Sequence, residues 1–327
     1  MDEKTTALCE SFIANRDIIK KVFRGESTYI IPVAANALVA HGVTADLEKL
    51  KLCKKIIKKK SGVLSYLKEN VMVPFAATLS MKEDPMAHFE KVAKFYSVTK
   101  KQFNRSDYSA LLAIMLADLV DEEKFDSVIK RGKHLYSMME EKHPFLTNNQ
   151  DSVLVGLLAL SPKNNIDLID DMEKCYDLLK IKFSHKSRIN GVSHVLALTS
   201  GNAHEKVDHL IELYDALKEA GKKIGVYTDL STLAAVSILD NDVEKLRDTI
   251  TEIDGFLAKQ KGYGMLGLDK KTRLLHATLL TTDLYDTAQA AQNTSTASAL
   301  AMSAAQQIAI CIVIDSVLAA ASMSYSE

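Results

Sequence analysis

The sequence contains no tryptophan and only 5 prolines and 13 glycines among its 327 residues. Proline breaks or kinks helices and glycine destabilises helix interiors, so a chain poor in both is suited to long stretches of helix. The phosphate-binding pattern GxxxxGK followed by Ser or Thr is absent. The composition therefore favours an all-α protein and gives no support to an enzyme of the P-loop kind.

Cysteine is also scarce, and its four positions are far apart: Cys9, Cys53, Cys175 and Cys311. A disulfide framework or a structural zinc site requires paired or clustered spacings. Each cysteine lies on an apolar helical pattern, so we expect buried free thiols and a reducing, cytoplasmic compartment. The first five residues lack an apolar segment behind a basic start, so no secretory signal is expected.

Neither sign of charge is in excess, because the chain has 41 basic and 42 acidic residues. A chain near neutrality has no overall field that would favour nucleic acid. Basic and aromatic residues also do not alternate along a stripe, as they do in many nucleic-acid-binding proteins. We therefore expect neither a nucleic-acid partner nor a cofactor.

What the chain does contain is a helical repeat. The segment 205–218 carries apolar residues at i, i+3, i+4 and i+7, which is one stripe of a helix. The same phase returns at intervals of 40, 40, 38 and 39 residues. The marker positions are Tyr96, Tyr136, Tyr176, Tyr214 and Ile253. A repeat of this length in an all-helical pattern predicts stacked helical hairpins.

The predicted fold is all-α, an α-solenoid-like array of about six or seven hairpins with a period of about 40 residues. Residues 1–26 form an N-terminal helix, 27–286 the repeat domain, 287–298 a flexible linker and 299–327 a separate Ala-rich apolar helix. The marker residues are expected to be largely buried between neighbouring hairpins.

Each hairpin is expected to open with a short apolar helix preceded by a polar residue. Such residues accept a hydrogen bond from an unpaired backbone N–H, so we predict that they are N-caps. They are Asp107, Asn149 or Asp151, Asn190, Asp229 and Asp269, and Thr44 is predicted to cap an earlier helix. Because hairpins stack side by side, these residues should line one edge, either as caps alone or as a polar groove for a ligand.

Two patterns resemble metal sites and are interpreted as structural. His204 and His209 flank a segment like HExxH, but the motif requires histidines at i and i+4, and these are at i and i+5. The acidic cluster Asp167, Asp170, Asp171 and Glu173 lies near a helix N-terminus, where acidic side chains are stabilised without a metal. No metal site is predicted.

Lysines occupy one face of the segment 49–60, opposite Leu50, Cys53 and Ile57. This face is either a solvated surface or a basic surface for an anionic membrane or an acidic partner. Residues 299–323 form an apolar stretch without Lys or Arg, which we expect to dock on the array, on a second copy or at a membrane surface. Self-association and peripheral membrane contact both remain open at this point.

Several segments resemble a family of bacterial proteins, domain-of-unknown-function family 4003, typical of the low-GC Gram-positive group. The resemblance covers most of the chain and includes 61–66, 75–77, 105–108, 146–147, 191–196, 213–218 and 304–307. It implies a cytosolic bacterial protein and supplies no activity or catalytic residue.

The leading functional hypothesis is a non-catalytic scaffold that binds a protein or peptide. The alternative is a hydrolase or transferase with a polar pocket at the helix-entry edge, formed by Tyr108, Asp151, Asn190, His194 and Asp229. A polar cavity that contains His194 would favour the enzyme, and a His194 packed among aliphatic side chains would favour the scaffold.

Overall fold

The computed structural model describes residues 1–26, 28–62, 66–147, 149–184, 186–199, 201–225, 228–240, 242–264 and 267–290, without the side chains of 186–188, 228, 229 and 286–290. Fourteen α-helices and one 3₁₀ turn (Tyr66–Lys68) lie in these ranges, and no β-strand does. The helices are α1 (Glu3–Val22), α2 (Ile30–Ala40), α3 (Leu47–Lys60), α4 (Met72–Ser80), α5 (Pro85–Gln102), α6 (Asp107–Leu119), α7 (Glu122–Lys142), α8 (Asp151–Leu158), α9 (Asn165–Lys182), α10 (Lys186–Ala197), α11 (Ala203–Glu219), α12 (Thr228–Ser237), α13 (Val243–Leu257) and α14 (Lys270–Ala290). The fold is the all-α array of helical hairpins that the sequence predicts.

The helices form two compact units. The first unit is Phe12–Leu160, and the second unit combines Met1–Ser11 with the described residues from Ser161 onward. In the first unit, α2 packs on α4 and α6 on α8, while α3 packs on α5 and α5 on α7. In the second unit, α10 packs on α12 and α12 on α14, while α9 packs on α11 and α11 on α13. Even-numbered and odd-numbered helices thus form separate layers within each unit.

The two layers differ in sequence because they differ in burial. The short helix α2 is buried from Ile30 to Val39, and α6 is buried from Ser109 to Ala117. A helix that is apolar all round must be covered on every side, and these helices are. The longer helices α7 and α11 bury a single stripe and expose charged residues on the other side. We call the two kinds inner and outer helices.

The marker residues lie on the outer helices at the predicted phase. Tyr96, Tyr176 and Ile253 are buried, and Tyr136 and Tyr214 are half-buried. An inner helix packs more extensively on the outer helix that precedes it than on the one that follows, as α4 does on α3, α10 on α9 and α12 on α11. The compact hairpin is therefore an outer helix followed by an inner one, and the sequence analysis had paired them in the opposite order.

Most of the predicted N-caps are wrong, because the inner helices begin earlier than their apolar runs. The cap of α6 is Ser106 and not Asp107, since Ser106 Oγ accepts from the backbone N–H of Ser109. Asp151, Asn190 and Asp229 lie inside α8, α10 and α12. Asp269 is a cap as predicted, with Oδ1 at 2.7 Å from the backbone nitrogen of Thr272.

Two further predicted caps have other partners. The amide oxygen Oδ1 of Asn149 accepts a hydrogen bond from Asn104 Nδ2 at 3.1 Å, so this side chain links two loops of the first unit. Asp46, and not Thr44, caps α3, and its carboxylate accepts from the backbone nitrogens of Glu48 and Lys49. A carboxylate is the stronger acceptor at the positive end of a helix.

The C-terminal ends of inner helices are capped by side chains from the outer helix of the same hairpin. Lys91 Nζ donates to the carbonyl oxygens of Ala117 and Val120, at 2.7 and 2.9 Å. Arg131 donates to Ala159 O at 3.0 Å. His209 Nε2 lies 2.9 Å from Asp240 O. These three side chains stand five residues before the markers Tyr96, Tyr136 and Tyr214, so the contact recurs with the repeat.

Gly156 on α8 marks a close approach of two inner helices. A Cβ atom at this position would lie 2.3 Å from Leu112 Cδ1 and 3.2 Å from Met115 Cε on α6. Leu112 is fully buried, so it has little space into which to move. The contact explains why a glycine interrupts this apolar helix.

We expect Gly156→Ala to lower the free energy of unfolding by about 1–3 kcal/mol, the usual cost of overpacking a core. Gly132→Ala on α7 is the matched control, because its Cβ would have no neighbour closer than 3.5 Å and the helix gains propensity. Urea denaturation of both variants measures the difference. A Gly156→Ala protein as stable as Gly132→Ala would contradict the close approach.

A buried ion cluster joins three segments of the second unit. The Asp254 carboxylate on α13 lies 2.6 Å from Lys222 Nζ and 2.7 Å from Arg273 Nε on α14. The Asp254 side chain is 3% exposed. Burial raises its pKa, but the hydrogen bonds and charges of Arg273 and Lys222 outweigh this effect, so the pKa is lowered.

The described cysteines are free and buried, as predicted. Burial raises the pKa of the Cys9 thiol to about 12 and those of Cys53 and Cys175 to about 11. All three thiols are therefore protonated at neutral pH. Cys311 and the predicted apolar helix 299–327 lie outside the described residues, as does the predicted linker beyond Ala290, the last residue of α14.

Candidate anion-binding site

The residues proposed for an enzymatic pocket fall in both units. In the first unit, Tyr108 OH is 3.1 Å from Gln150 Nε2, and Asp151 is buried at the start of α8. Burial raises the pKa of Tyr136, and the negative charge of Asp151 raises it further. Tyr108 and Asp151 lie at the N-terminal ends of two inner helices, α6 and α8, that pack on each other.

In the second unit, Asn190 and His194 lie one turn apart on α10, and both are 3% exposed. His194 is followed by Val195 and Leu196, which are fully buried. It lines neither of the two cavities described below. The side chain of Asp229 is outside the described residues.

Three residues of the acidic cluster, Asp167, Asp170 and Asp171, line an open groove of about 790 Å³ in the second unit, at α9 and the start of α11. Asp171 is bound on both sides, because Lys163 Nζ and Lys206 Nζ each lie 2.7 Å from its Oδ2. Lys163 also donates to the carbonyl oxygens of Ala197 and Thr199 at the end of α10. Asp171 stands five residues before Tyr176, the position that Lys91, Arg131 and His209 occupy before their own markers. In this repeat the position is acidic, and the two lysines that it binds supply the basic groups.

This arrangement gives Asp171 a structural role. Among the residues that the structure describes, no group of three or more His, Cys, Asp or Glu side chains is arranged to hold a metal ion. His204 lines the groove, whereas His209 is directed to Asp240 O at the end of α12.

A glycine-rich segment between α13 and α14 also has a structural explanation. Gly262, Gly264 and Gly267 have the spacing GxGxxG, which in dinucleotide-binding folds follows a strand. Here it follows the helix α13. Leu268 N donates to Gly262 O at 2.9 Å, and a Cβ on Gly267 would lie 2.2 Å from that same oxygen. The glycines permit a tight turn.

A second cavity, of about 250 Å³, lies in the first unit at the C-terminal ends of α3 and α5. We call it the basic cavity. Its lining residues are Lys60, Ser61, Leu67, Phe89, Ala93, Tyr96, Lys100 and Arg105. Three of these are cations, and none of the described lining residues is a carboxylate.

The fold brings the three cations together from separate segments. Lys60 is the last residue of α3, and Lys100 lies one turn after Tyr96 on α5. Arg105 stands in the α5–α6 loop, directly after Asn104, which has a left-handed backbone with φ of 65°. Asparagine tolerates this conformation better than most residues, and the turn reverses the chain after α5. The Arg105 guanidinium then lies 5.8 Å from the centre of the Tyr66 ring.

Tyr96 forms the inner wall of the basic cavity. Burial raises the pKa of its hydroxyl, while the nearby charge of Arg105 acts in the opposite direction. The phenol is therefore neutral at pH 7 and able to donate a hydrogen bond. Lys100 Nζ lies 5.4 Å from the centre of the same ring, a cation–π distance.

The lysine face of α3 leads into this cavity. Lys55, Lys58 and Lys59 are exposed, and Leu52 beside them is 51% exposed. The opposite face of the helix, which includes Leu50, Ile56 and Ile57, is buried in the protein. Lys60, the last residue of α3, joins this helix to the basic cavity.

Sequence reasoning found the lysine face but missed the basic cavity. Lys60, Lys100 and Arg105 are 40 and 5 residues apart, and each is unremarkable in its own segment. The one available signal was the repeat itself, which places the end of α3 beside the end of α5.

No helix among the described residues combines the length and apolar character needed to cross a membrane. Residues 16–317 match the family model of a protein of unknown function, DUF4003. No curated protein and no solved structure matches the chain.

Proposed function

Because the chain belongs to the family of unknown function DUF4003, whose description supplies no activity, we propose a function from the geometry alone. The protein is a non-catalytic helical-repeat scaffold that binds an acidic segment of a partner protein on the lysine face of α3. The observation that carries this proposal is the exposure of Lys55, Lys58 and Lys59 around a half-exposed Leu52.

The charge on this face is largely uncompensated by its own helix. Glu48 is the acidic residue of α3, and it pairs with Lys51 at 2.8 Å. Lys54 is directed to Val22 O at 2.9 Å and so serves the packing of α1 on α3. Lys55, Lys58 and Lys59 remain available to an acidic partner, and Leu52 offers an apolar contact among them.

Burial of the apolar face of α3 favours a protein partner over a membrane. An amphipathic helix binds a bilayer by inserting its apolar side, together with aromatic anchors, into the lipid interface. The apolar side of α3 is already covered by protein, and its single exposed large apolar residue is Leu52. Attraction to lipid would then rest on charge alone.

The test is a comparison of three proteins as baits: the intact chain, Lys55→Glu/Lys58→Glu/Lys59→Glu, and the control Lys259→Glu/Lys261→Glu/Lys271→Glu. All six lysines are exposed, so both variants carry the same change in net charge. We expect partners captured by the intact chain and by the control to be lost by the α3 variant. A purified partner should then bind the α3 variant about tenfold more weakly or worse.

Equal capture by all three proteins, or repeated failure to recover any partner, would contradict the proposal. Flotation with vesicles containing anionic lipid is run beside the capture. Flotation of the intact chain that the α3 variant loses, without a protein partner, would replace the scaffold with a membrane-binding function.

A further inference from the structure

The basic cavity has the features of a built ligand site and not only of a charged surface. Lys60, Lys100 and Arg105 converge on a space of about 250 Å³ with no carboxylate among its described lining residues. Lys60 and Lys100 form no ion pair with any carboxylate that the structure describes. The Lys60 and Lys100 ammonium groups repel each other, so an anion in the cavity would stabilise the arrangement.

Two hydroxyl groups lie in the same cavity. Ser61 Oγ is buried and has no hydrogen-bond partner among the described residues. Buried polar atoms are nearly always satisfied by protein, water or ligand, so a ligand in the cavity can supply a partner for this oxygen. The Tyr96 hydroxyl is buried beside Arg105 and neutral at pH 7. Both hydroxyls can donate to an anion.

The other repeats show that the architecture does not itself require this cluster. One turn after the marker, Lys100 corresponds to Glu140 in the next repeat. In the repeat after that the residue is Lys180, which pairs with Asp177 at 2.6 Å. At the position of Lys100, one repeat therefore has a glutamate, and another has a lysine that is paired with an aspartate.

We propose that the basic cavity binds a phosphate group. A planar guanidinium, two ammonium groups and two hydroxyls present more donors than a carboxylate has acceptor sites, and they match a tetrahedral dianion. The volume lies below that of cavities for drug-sized ligands, so the cavity accepts the phosphate group and not the bulk of a larger molecule. The source is either free phosphate or a phosphate monoester.

Isothermal titration of the full chain with inorganic phosphate, at constant ionic strength, tests the proposal directly. We expect saturable binding that Arg105→Gln and Lys100→Gln each weaken by about tenfold or more. Lys101→Gln is the matched control, because Lys101 is exposed beside Lys100 and does not line the cavity. Ser61→Ala is expected to weaken binding while the far-ultraviolet circular dichroism is unchanged.

O-phosphoserine and acetate complete the titration. Tighter binding of O-phosphoserine than of inorganic phosphate identifies a monoester as the source, and the reverse order identifies the free ion. No saturable binding, equal weakening by Lys101→Gln, or acetate binding as tightly as phosphate would overturn the proposal. None of these outcomes depends on Lys55, Lys58 or Lys59, so the phosphate site and the scaffold function stand or fall separately.

Discussion

Asp254→Asn is expected to lower the free energy of unfolding by about 3–5 kcal/mol, the range for removing one partner from a buried ion pair. The asparagine keeps the volume of the side chain but leaves Lys222 and Arg273 without their counter-charge. Arg273 is 12% exposed, so its guanidinium cannot regain full hydration. Thermal and urea unfolding measure the loss. Asp248→Asn is the control, because this aspartate pairs with Arg247 at an exposed site.

The effect of Asp254 also depends on pH in a defined direction. Its pKa is lowered in the folded protein from the ordinary value of 3.8. The carboxylate therefore contributes fully above that value, and its contribution is lost as the pH falls through the folded pKa. The stabilities of the intact chain and of Asp254→Asn should converge below about pH 4. A gap that is constant down to pH 3 would contradict the ion cluster.

Tyr176→Ala is expected to cost about 3–5 kcal/mol, as for other buried aromatic residues truncated to alanine. Tyr176 is a repeat marker on α9 and is 5% exposed. Lys180 Nζ lies 5.1 Å from the centre of its ring, a cation–π distance. Truncation leaves a void that rigid helices cannot close.

Two companion variants separate the ring from the hydroxyl and test the role of burial. Tyr176→Phe keeps the ring and is expected to cost less than about 1.5 kcal/mol, the contribution of one hydrogen bond. Tyr214→Ala, at a half-buried marker, should cost less than Tyr176→Ala. Equal losses at the two tyrosines, measured by urea denaturation, would show that marker burial does not determine stability here.

The all-α array could be predicted from the sequence because apolar spacing reports directly on which side of a helix is covered. The phase of Tyr96, Tyr176 and Ile253 identified the outer helices, and all three residues are buried. The first residues of the helices were harder to predict from the sequence. α10 begins at Lys186, three residues before Ile189, the first apolar residue in its sequence. Asn190 was therefore placed at a cap position and lies inside the helix.

The candidate site was only partly predictable, for a different reason. A basic helix face is visible in a single segment, so the lysines of α3 were found. The basic cavity depends on the left-handed turn at Asn104, which positions Arg105 against α5. Asn104 tolerates a left-handed backbone but does not require one, so the local pattern around Arg105 does not specify that turn. The other two cations of the cavity are 5 and 45 positions away from Arg105 in the sequence.

Caps supplied by the outer helix make the two helices of a hairpin depend on each other for more than apolar contact. If α5, which carries Lys91, unfolds, the carbonyl groups of Ala117 and Val120 at the end of α6 lose their donor. The same holds for Arg131 on α7 and the end of α8, and for His209 on α11 and the end of α12. Local opening should therefore involve both helices of a hairpin, and amide hydrogen exchange at the end of each inner helix should follow the stability of the outer helix before it. Coupling of this kind makes the hairpin, and not the single helix, the cooperative unit of the array.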